Sequence, residues 1–220
     1  MASYFTIDKV WSVVQRMAQN HNVQRLDTED FNSYATLAHY QYYDQVYGRP
    51  SEMEGYETEP QISDALLPFK ASSTITLTSG EGTKPTDYLH KRSVYYFDGA
   101  KKVKVKPVTD EQWDYYHDNS VYTPTTRDPI WNFKNNTTIR VSPNSIASIE
   151  FYYLKRGDEP AIAFTSSNGI LSYDSGSSTD FLWDDDHIIN IIRIMLSYLS
   201  IEAGRSDILQ YVEQKEEIES

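Results

Sequence analysis

The chain has 220 residues, a net charge of −12, 18 tyrosines and no cysteine. That length suits one domain with small appendages and a substantial core. The missing cysteine removes disulfides and thiolate chemistry, and the acidic balance argues against a protein that wraps DNA or RNA, which needs a basic footprint.

Met1-Ala2-Ser3-Tyr4-Phe5 leads straight into an amphipathic pattern, so no secretory leader is expected. Ile7, Val10, Trp11, Val14 and Ala18 recur at helical spacing behind Thr6, a candidate N-cap, and Asn20-His21-Asn22 ends this first helix. A second helix is predicted from Asp27 or Thr28 to Gly48-Arg49-Pro50. Its core stripe reads Phe31, Tyr34, Ala35, Ala38, Tyr42 and Val46. Tyr40, Tyr43 and Tyr47 fall on the opposite face, with Leu37 near its edge. A face that should be solvated thus carries three tyrosines, rings that suit half-wet interfaces. They are candidates for a partner or subunit contact, with packing under the following loop as the alternative.

Residues 51–63 are acidic and aperiodic (Glu52, Glu54, Glu57, Glu59), which reads as a surface loop or arm. Asp64 to Phe69 returns apolar side chains to the body, and Thr74 to Thr78 alternates as a strand. Ser79-Gly80-Glu81-Gly82-Thr83 is a turn; its spacing does not match the phosphate-binding G-x-x-x-x-G-K-[ST] pattern.

From Val94 the pattern turns to β. Tyr95-Tyr96-Phe97, Asp98-Gly99 and Lys101 to Lys106 read as a hairpin. Val103 and Val105 face one side, and Lys102, Lys104 and Lys106 the other. With Lys91 and Arg92 they make a basic row in an acidic chain. A nucleic-acid groove is one reading. The favoured one is a solvated strand face that meets the acidic ends of a neighbouring subunit and blunts an edge. Thr109-Asp110-Glu111-Gln112 is a capping box opening a short helix with Trp113, Tyr115 and Tyr116. Pro124 and Pro129 mark an irregular crossing. Strands are then expected at Thr137 to Val141, along Ile149, Phe151 and Tyr153, at Ala161 to Phe164 and at Ile170 to Tyr173, as an antiparallel meander.

Phe181-Leu182-Trp183 precedes Asp184-Asp185-Asp186, which suits the first turn of a helix. From Ile188 to Ile201 only Asn190, Arg193, Ser197 and Ser200 are polar, and they lie on one narrow stripe, so this helix is expected to be buried on most sides. After Gly204, Ser206-Asp207 caps a last short helix with Ile208, Leu209, Tyr211 and Val212, whose end is nearly all polar. The expected fold is α+β: a helical part at 1–50, an acidic arm at 51–72, a β-rich body at 73–183 and C-terminal helices at 184–220, as one compact domain.

No chemistry-bearing pattern emerges. His21, His39, His90, His117 and His187 show no ligand spacing, and consecutive Asp184-Asp185-Asp186-His187 side chains at a helix start diverge. There is no G-x-S-x-G elbow. The expectation is no catalytic residue, no cofactor and no metal.

A set of short segments resembles virion structural proteins of crAss-like and related tailed phages. They are Asp64 to Phe69, Pro85 to His90, Val105 to Thr109 before Trp113, Ile139 to Pro143 before Ile149 to Lys155, Asp180 to Asp184, and Gln210-Tyr211. The resemblance covers most of the chain from about residue 60 and implies a non-enzymatic ring component of the head-to-tail connector or tail barrel. It implies self-association beneath the portal, commonly in about twelve copies closing head to tail. Portal and neighbouring tail or ring proteins would be further partners; genomic DNA would pass without sequence-specific binding, no membrane would be involved, and assembly would take place in the host cytoplasm. Interface candidates are Tyr40, Tyr43, Tyr47, Lys102, Lys104, Lys106 and Tyr211. The main alternative is a phage surface module that contacts a host receptor or glycan through exposed tyrosines; a hydrolase with a carboxylate pair is a third reading.

Overall fold

The computed structural model describes residues 4–20, 26–48, 64–118 and 122–202, without the side chains of residues 20, 201 and 202. The protein is α+β. In chain order its helices are α1 (Ile7–Asn20), α2 (Thr28–Gly48), α3 (Asp110–Asp118) and α4 (Asp185–Glu202). Its strands are β1 (Lys70–Thr76), β2 (Glu81–Thr83), β3 (Tyr88–Asp98), β4 (Lys101–Pro107), β5 (Ile130–Phe133), β6 (Thr138–Ser142), β7 (Ser148–Lys155), β8 (Phe164–Ser167) and β9 (Ile170–Tyr173). The expected last helix after Gly204 lies outside the described residues. The chain divides into two compact units, a β unit of Phe69–Gly157 and a helical unit built from Met1–Pro68 and Asp158–Ser220.

In the helical unit, carboxylates outside α1 fix its start. The Tyr4 and Phe5 N–H groups donate to the two carboxylate oxygens of Asp185 (2.9 and 3.0 Å), and the Ile7 N–H donates to Asp180 Oδ1 (2.6 Å). A helix N-terminus presents unpaired N–H groups and a positive dipole end, so anionic acceptors suit it. Asp185 therefore serves two helices, closing the entry to α1 while it sits in the first turn of α4. Asp27 caps α2, its Oδ1 accepting from the Asp30 N–H (2.8 Å). α4 buries Ile188, Ile191, Ile192, Ile194, Met195, Leu196 and Leu199 and packs on α1 and α2. Its wet seam includes Asn190, Arg193 and Ser197 as expected, but Ser200 is buried, its hydroxyl donating to the Ser197 carbonyl (2.7 Å), and Ile189 is exposed.

Tyr43 departs from expectation. It lies on the buried side of α2, 1% exposed, with its ring 6.3 Å from that of Trp183. The buried arc of α2 is wider than one stripe because Trp183 covers the flank where His39 and Tyr43 lie. Burial, with the neighbouring Tyr47 and Asp44, pushes the Tyr43 hydroxyl pKa up.

The β unit is one seven-stranded sheet in the order β1-β7-β3-β4-β5-β6-β2. All pairs are antiparallel except β4–β5, where Lys106 faces Ile130 and Pro107 faces Trp131. Its two outer strands are neighbours in the chain. Ser79 (φ 53°) and Gly80 (φ 82°) form the left-handed pair of a tight turn, and Thr78 and Glu81 exchange both backbone hydrogen bonds across it (2.8 and 3.0 Å). The sheet thus curls until its first and last strands meet. A Cβ on Gly82 would sit 2.5 Å from Ile75 Cγ2 and 2.9 Å from Leu77 Cδ2, so only glycine permits that approach. Inside lie Ile75, Leu77, Val94, Tyr96, Val105, Trp131, Ile139, Val141, Ile146, Ile149, Phe151 and Tyr153. Each such side chain, fully withdrawn from water, contributes roughly 1.5–3 kcal/mol.

The expected meander beyond β7 is not what forms. β7 lies between β1 and β3, while β8 and β9 pair only with each other among the described strands. The connection leaves the sheet because Ile162 is held elsewhere: Asn32 of α2 accepts its N–H (2.8 Å) and donates to its carbonyl (3.2 Å), and its side chain is buried. Asn168-Gly169 does make the tight turn its sequence predicts, both residues having positive φ.

Candidate binding cleft

Charge is divided unevenly between the units. The β unit carries 13 Lys and Arg against 9 Asp and Glu, a net +4, and the rest of the chain 7 against 23, a net −16. The overall acidity hides a basic half.

The lysine row on β4 lies in that half, and its members meet different surroundings. Lys102 is engaged within the chain. Its ammonium donates to Tyr152 Oη (2.8 Å) and Glu150 Oε2 (3.0 Å), and sits 4.5 and 4.6 Å from the ring centres of Tyr95 and Tyr152. The bonds to Tyr152 and Glu150 hold its pKa above the ordinary lysine value, and bonds from Tyr152 and Lys102 hold that of Glu150 below the usual carboxylate range.

Lys104 and Lys106 line a cleft of about 480 Å³. Arg127 is the third cation of the cleft, and Asp128 its one carboxylate. None of the three cations is in an ion pair among the described residues, where the pairs are Lys102–Glu150, Lys134–Glu81 and Arg140–Asp110. Lys106 Nζ lies 3.5 Å from Tyr116 Oη, a long contact.

Two elements build the walls opposite β4. α3 is set by its capping box: the Thr109 N–H donates to Gln112 Oε1 (3.1 Å) and the Gln112 N–H to Thr109 Oγ1 (3.2 Å). Arg140 stacks 4.4 Å from the Trp113 ring and bonds Asp110 Oδ1 (2.9 Å), which clamps α3 to the sheet and turns Tyr116 to the cleft. The crossing before β5 is tied down by the Tyr96 hydroxyl, which donates to the Thr126 carbonyl, and by the Lys106 N–H, which donates to the Pro129 carbonyl (2.8 Å). Tyr122 lines the cleft from this crossing and stacks on Tyr115 of α3, the ring centres 6.0 Å apart and both rings more than half exposed. Three cations interleaved with tyrosine faces make a surface for carboxylates or other anions with an apolar component.

A second, smaller opening of about 260 Å³ is lined by Lys91, Asp110, Trp131 and Asn132, among others. Each opening holds a single carboxylate, Asp128 or Asp110, where a hydrolytic reading expects two. Among the described residues no cluster of His, Asp and Glu is placed to hold a metal ion, and no helix is long and apolar enough to cross a membrane.

Of the interface candidates read from sequence, Lys104 and Lys106 share the cleft and Lys102 is occupied by its own chain. Tyr40 is half-buried and Tyr47 is 39% exposed, its ring stacked on that of Tyr43. Tyr211 lies outside the described residues. Arg127, Tyr122 and Thr125 went unnoticed in the sequence, where only Pro124 and Pro129 marked the crossing that carries them. No protein-family model matches the chain, and comparison with curated proteins finds no match.

Proposed function

We propose that this is a non-enzymatic assembly protein that joins copies of itself head to tail into a closed ring, as a connector or tail-barrel component in the virion of a tailed phage. The observation that supports it most is the charge division: a β unit of net +4 with a cleft whose cations are in no ion pair among the described residues, in a chain whose remainder carries −16. A heterologous contact needs two different, complementary patches on each copy, and this chain carries both signs on separate parts. The virion setting rests on the sequence resemblance. In that setting portal and tail proteins flank the ring, and an acidic lumen would let DNA slide through unbound. Native mass spectrometry across a concentration series tests the assembly. A closed oligomer is expected, about twelve copies if the ring follows connectors of this kind; a monomer at all concentrations and low salt, with or without a purified portal, would sink it.

The stacked, exposed Tyr115 and Tyr122 favour a second reading, a module that stacks on glycan rings. Glycan-array binding by a monomer, lost on Tyr122→Ala, would support it.

A further inference from the structure

We infer that the cleft of Lys104, Lys106 and Arg127 is the receptor for the acidic segment Glu213–Glu219 of a second copy of this chain, which makes that segment the head-to-tail link. This deepens the proposed self-assembly and rests on it.

The cleft supplies three cations without an acidic partner among the described residues, flanked by the Tyr116 and Tyr122 faces. An ammonium and a guanidinium bond most strongly to ionised oxygen acceptors such as carboxylates, and the neighbouring rings offer apolar contact. The occupant must therefore be anionic and partly apolar. The segment Glu213-Gln214-Lys215-Glu216-Glu217-Ile218-Glu219 offers four carboxylates within seven residues, next to Tyr211 and Val212. Its position in the chain suits a link between copies, since Glu213 lies 11 residues past Glu202, the last of α4, enough for a reach of up to roughly 35 Å when extended. The remaining requirement, that the wrong partner be disfavoured, is met by the charge of the whole. A second copy's acidic part is attracted to the β unit and repelled by its like, so copies approach cleft to tail.

The decisive experiment uses two neutralised full-length variants. One is Lys104→Ser/Lys106→Ser/Arg127→Ser; the other is Glu213→Gln/Glu216→Gln/Glu217→Gln/Glu219→Gln. Circular dichroism should show both folded like the parent, because the replaced cleft cations are in no ion pair among the described residues. In sedimentation velocity, at a concentration where the parent assembles, each variant alone should be a monomer. Their mixture should form a one-to-one heterodimer and stop there, since each pair holds one intact cleft and one intact tail and their contact uses both. Assembly of either variant like the parent, or a mixture that stays monomeric, overturns the inference and leaves ring formation through another surface standing. A parent that never assembles sinks the ring instead. A labelled peptide of residues 206–220 then decides the cleft by anisotropy, with affinity for the parent at least tenfold above that for the cleft variant. Equal binding to both, equal capture of a peptide of residues 50–63, or preference for a single-stranded oligonucleotide would each overturn the assignment.

Discussion

The two units differ in how much of their packing rests on polar networks. The helical unit links its half-buried polar groups into a network along the seam of α4. The Tyr42 hydroxyl accepts from Asn190 Nδ2 (3.3 Å) and is hydrogen-bonded to His187 Nδ1 (2.8 Å), while Arg193 donates to Asn190 Oδ1 (3.2 Å). The Trp183 indole N–H donates to Nδ1 of the fully buried His39 (3.2 Å), which fixes the His39 proton on Nε2. The β unit fills its curled sheet mainly with aliphatic and aromatic side chains, with Asn132 as a buried polar group held by Asp110 and Arg140. Polar pairs inside a core fix how helices meet but are costly when one partner is lost; an apolar interior tolerates charge changes on its surface. The proposed assembly contact would then have room to vary on the β unit, where the cleft is.

The largest expected effect tests the shared hydrophobic basis of both units. Trp183 is 2% exposed and packs on Tyr42, Tyr43, His39 and His187; Phe151 is fully buried among Tyr88, Trp131 and Tyr153. Trp183→Ala and Phe151→Ala should each cost about 3–5 kcal/mol in urea unfolding. Trp183→Phe separates the units, because it keeps most of the ring but strips His39 of its donor. A loss near zero on Trp183→Phe would show that the internal pair contributes nothing.

Acid should weaken the helical unit next. Burial lowers the His39 pKa from 6.5 to about 4, so the folded state holds this ring neutral where the unfolded chain protonates it. The contribution is complete above pH 6.5 and disappears as pH falls through about 4, a change of about 3 kcal/mol. His39→Gln should flatten that part of the profile between pH 7 and 4. An unchanged slope would mean another group carries it.

Closure of the sheet supplies a middling effect. Gly82→Val places atoms where Ile75 and Leu77 already lie, and overpacking of this kind costs about 1–3 kcal/mol. A shift below that range would mean that β1 and β2 separate easily.

Local signals were legible where one residue type answers one local demand. The start of α2 at Asp27 or Thr28, the Thr109–Gln112 box, Asn168-Gly169 and the alternation of Ile149, Phe151 and Tyr153 all formed as written. What failed depended on distant partners. Tyr43 looked solvated because its cover, Trp183, comes 140 residues later. β8 left the meander because Asn32, far upstream, captures Ile162. β5 and the parallel β4–β5 pair were hidden behind a proline-framed crossing, and Arg127 with them. The lysine row was visible, but its division into one engaged and two open members required knowing which strand places Glu150 and Tyr152 beside Lys102.

That division gives the smallest and most local prediction. Lys102 and Lys104 lie two residues apart on one strand face, yet only Lys102 has carboxylate and phenol partners. The Tyr152 hydroxyl donates to Glu150 Oε2 (2.8 Å) and accepts from Lys102, so the three groups form a closed triangle on the surface. The raised lysine pKa adds stability below the unfolded lysine value that is lost as pH rises through the folded one. The lowered glutamate pKa adds stability above the unfolded carboxylate value that is lost as pH falls through the folded one, so the triangle is intact across the neutral range. Lys102→Ala should therefore raise the Glu150 pKa toward that of an ordinary carboxylate, read by carboxyl NMR titration, with a slight fall in Tm. Lys104→Ala should move neither, while weakening self-association. Equal effects of the two substitutions on Glu150 would show that the row acts as one diffuse field, and the cleft would then lose its claim to a separate role.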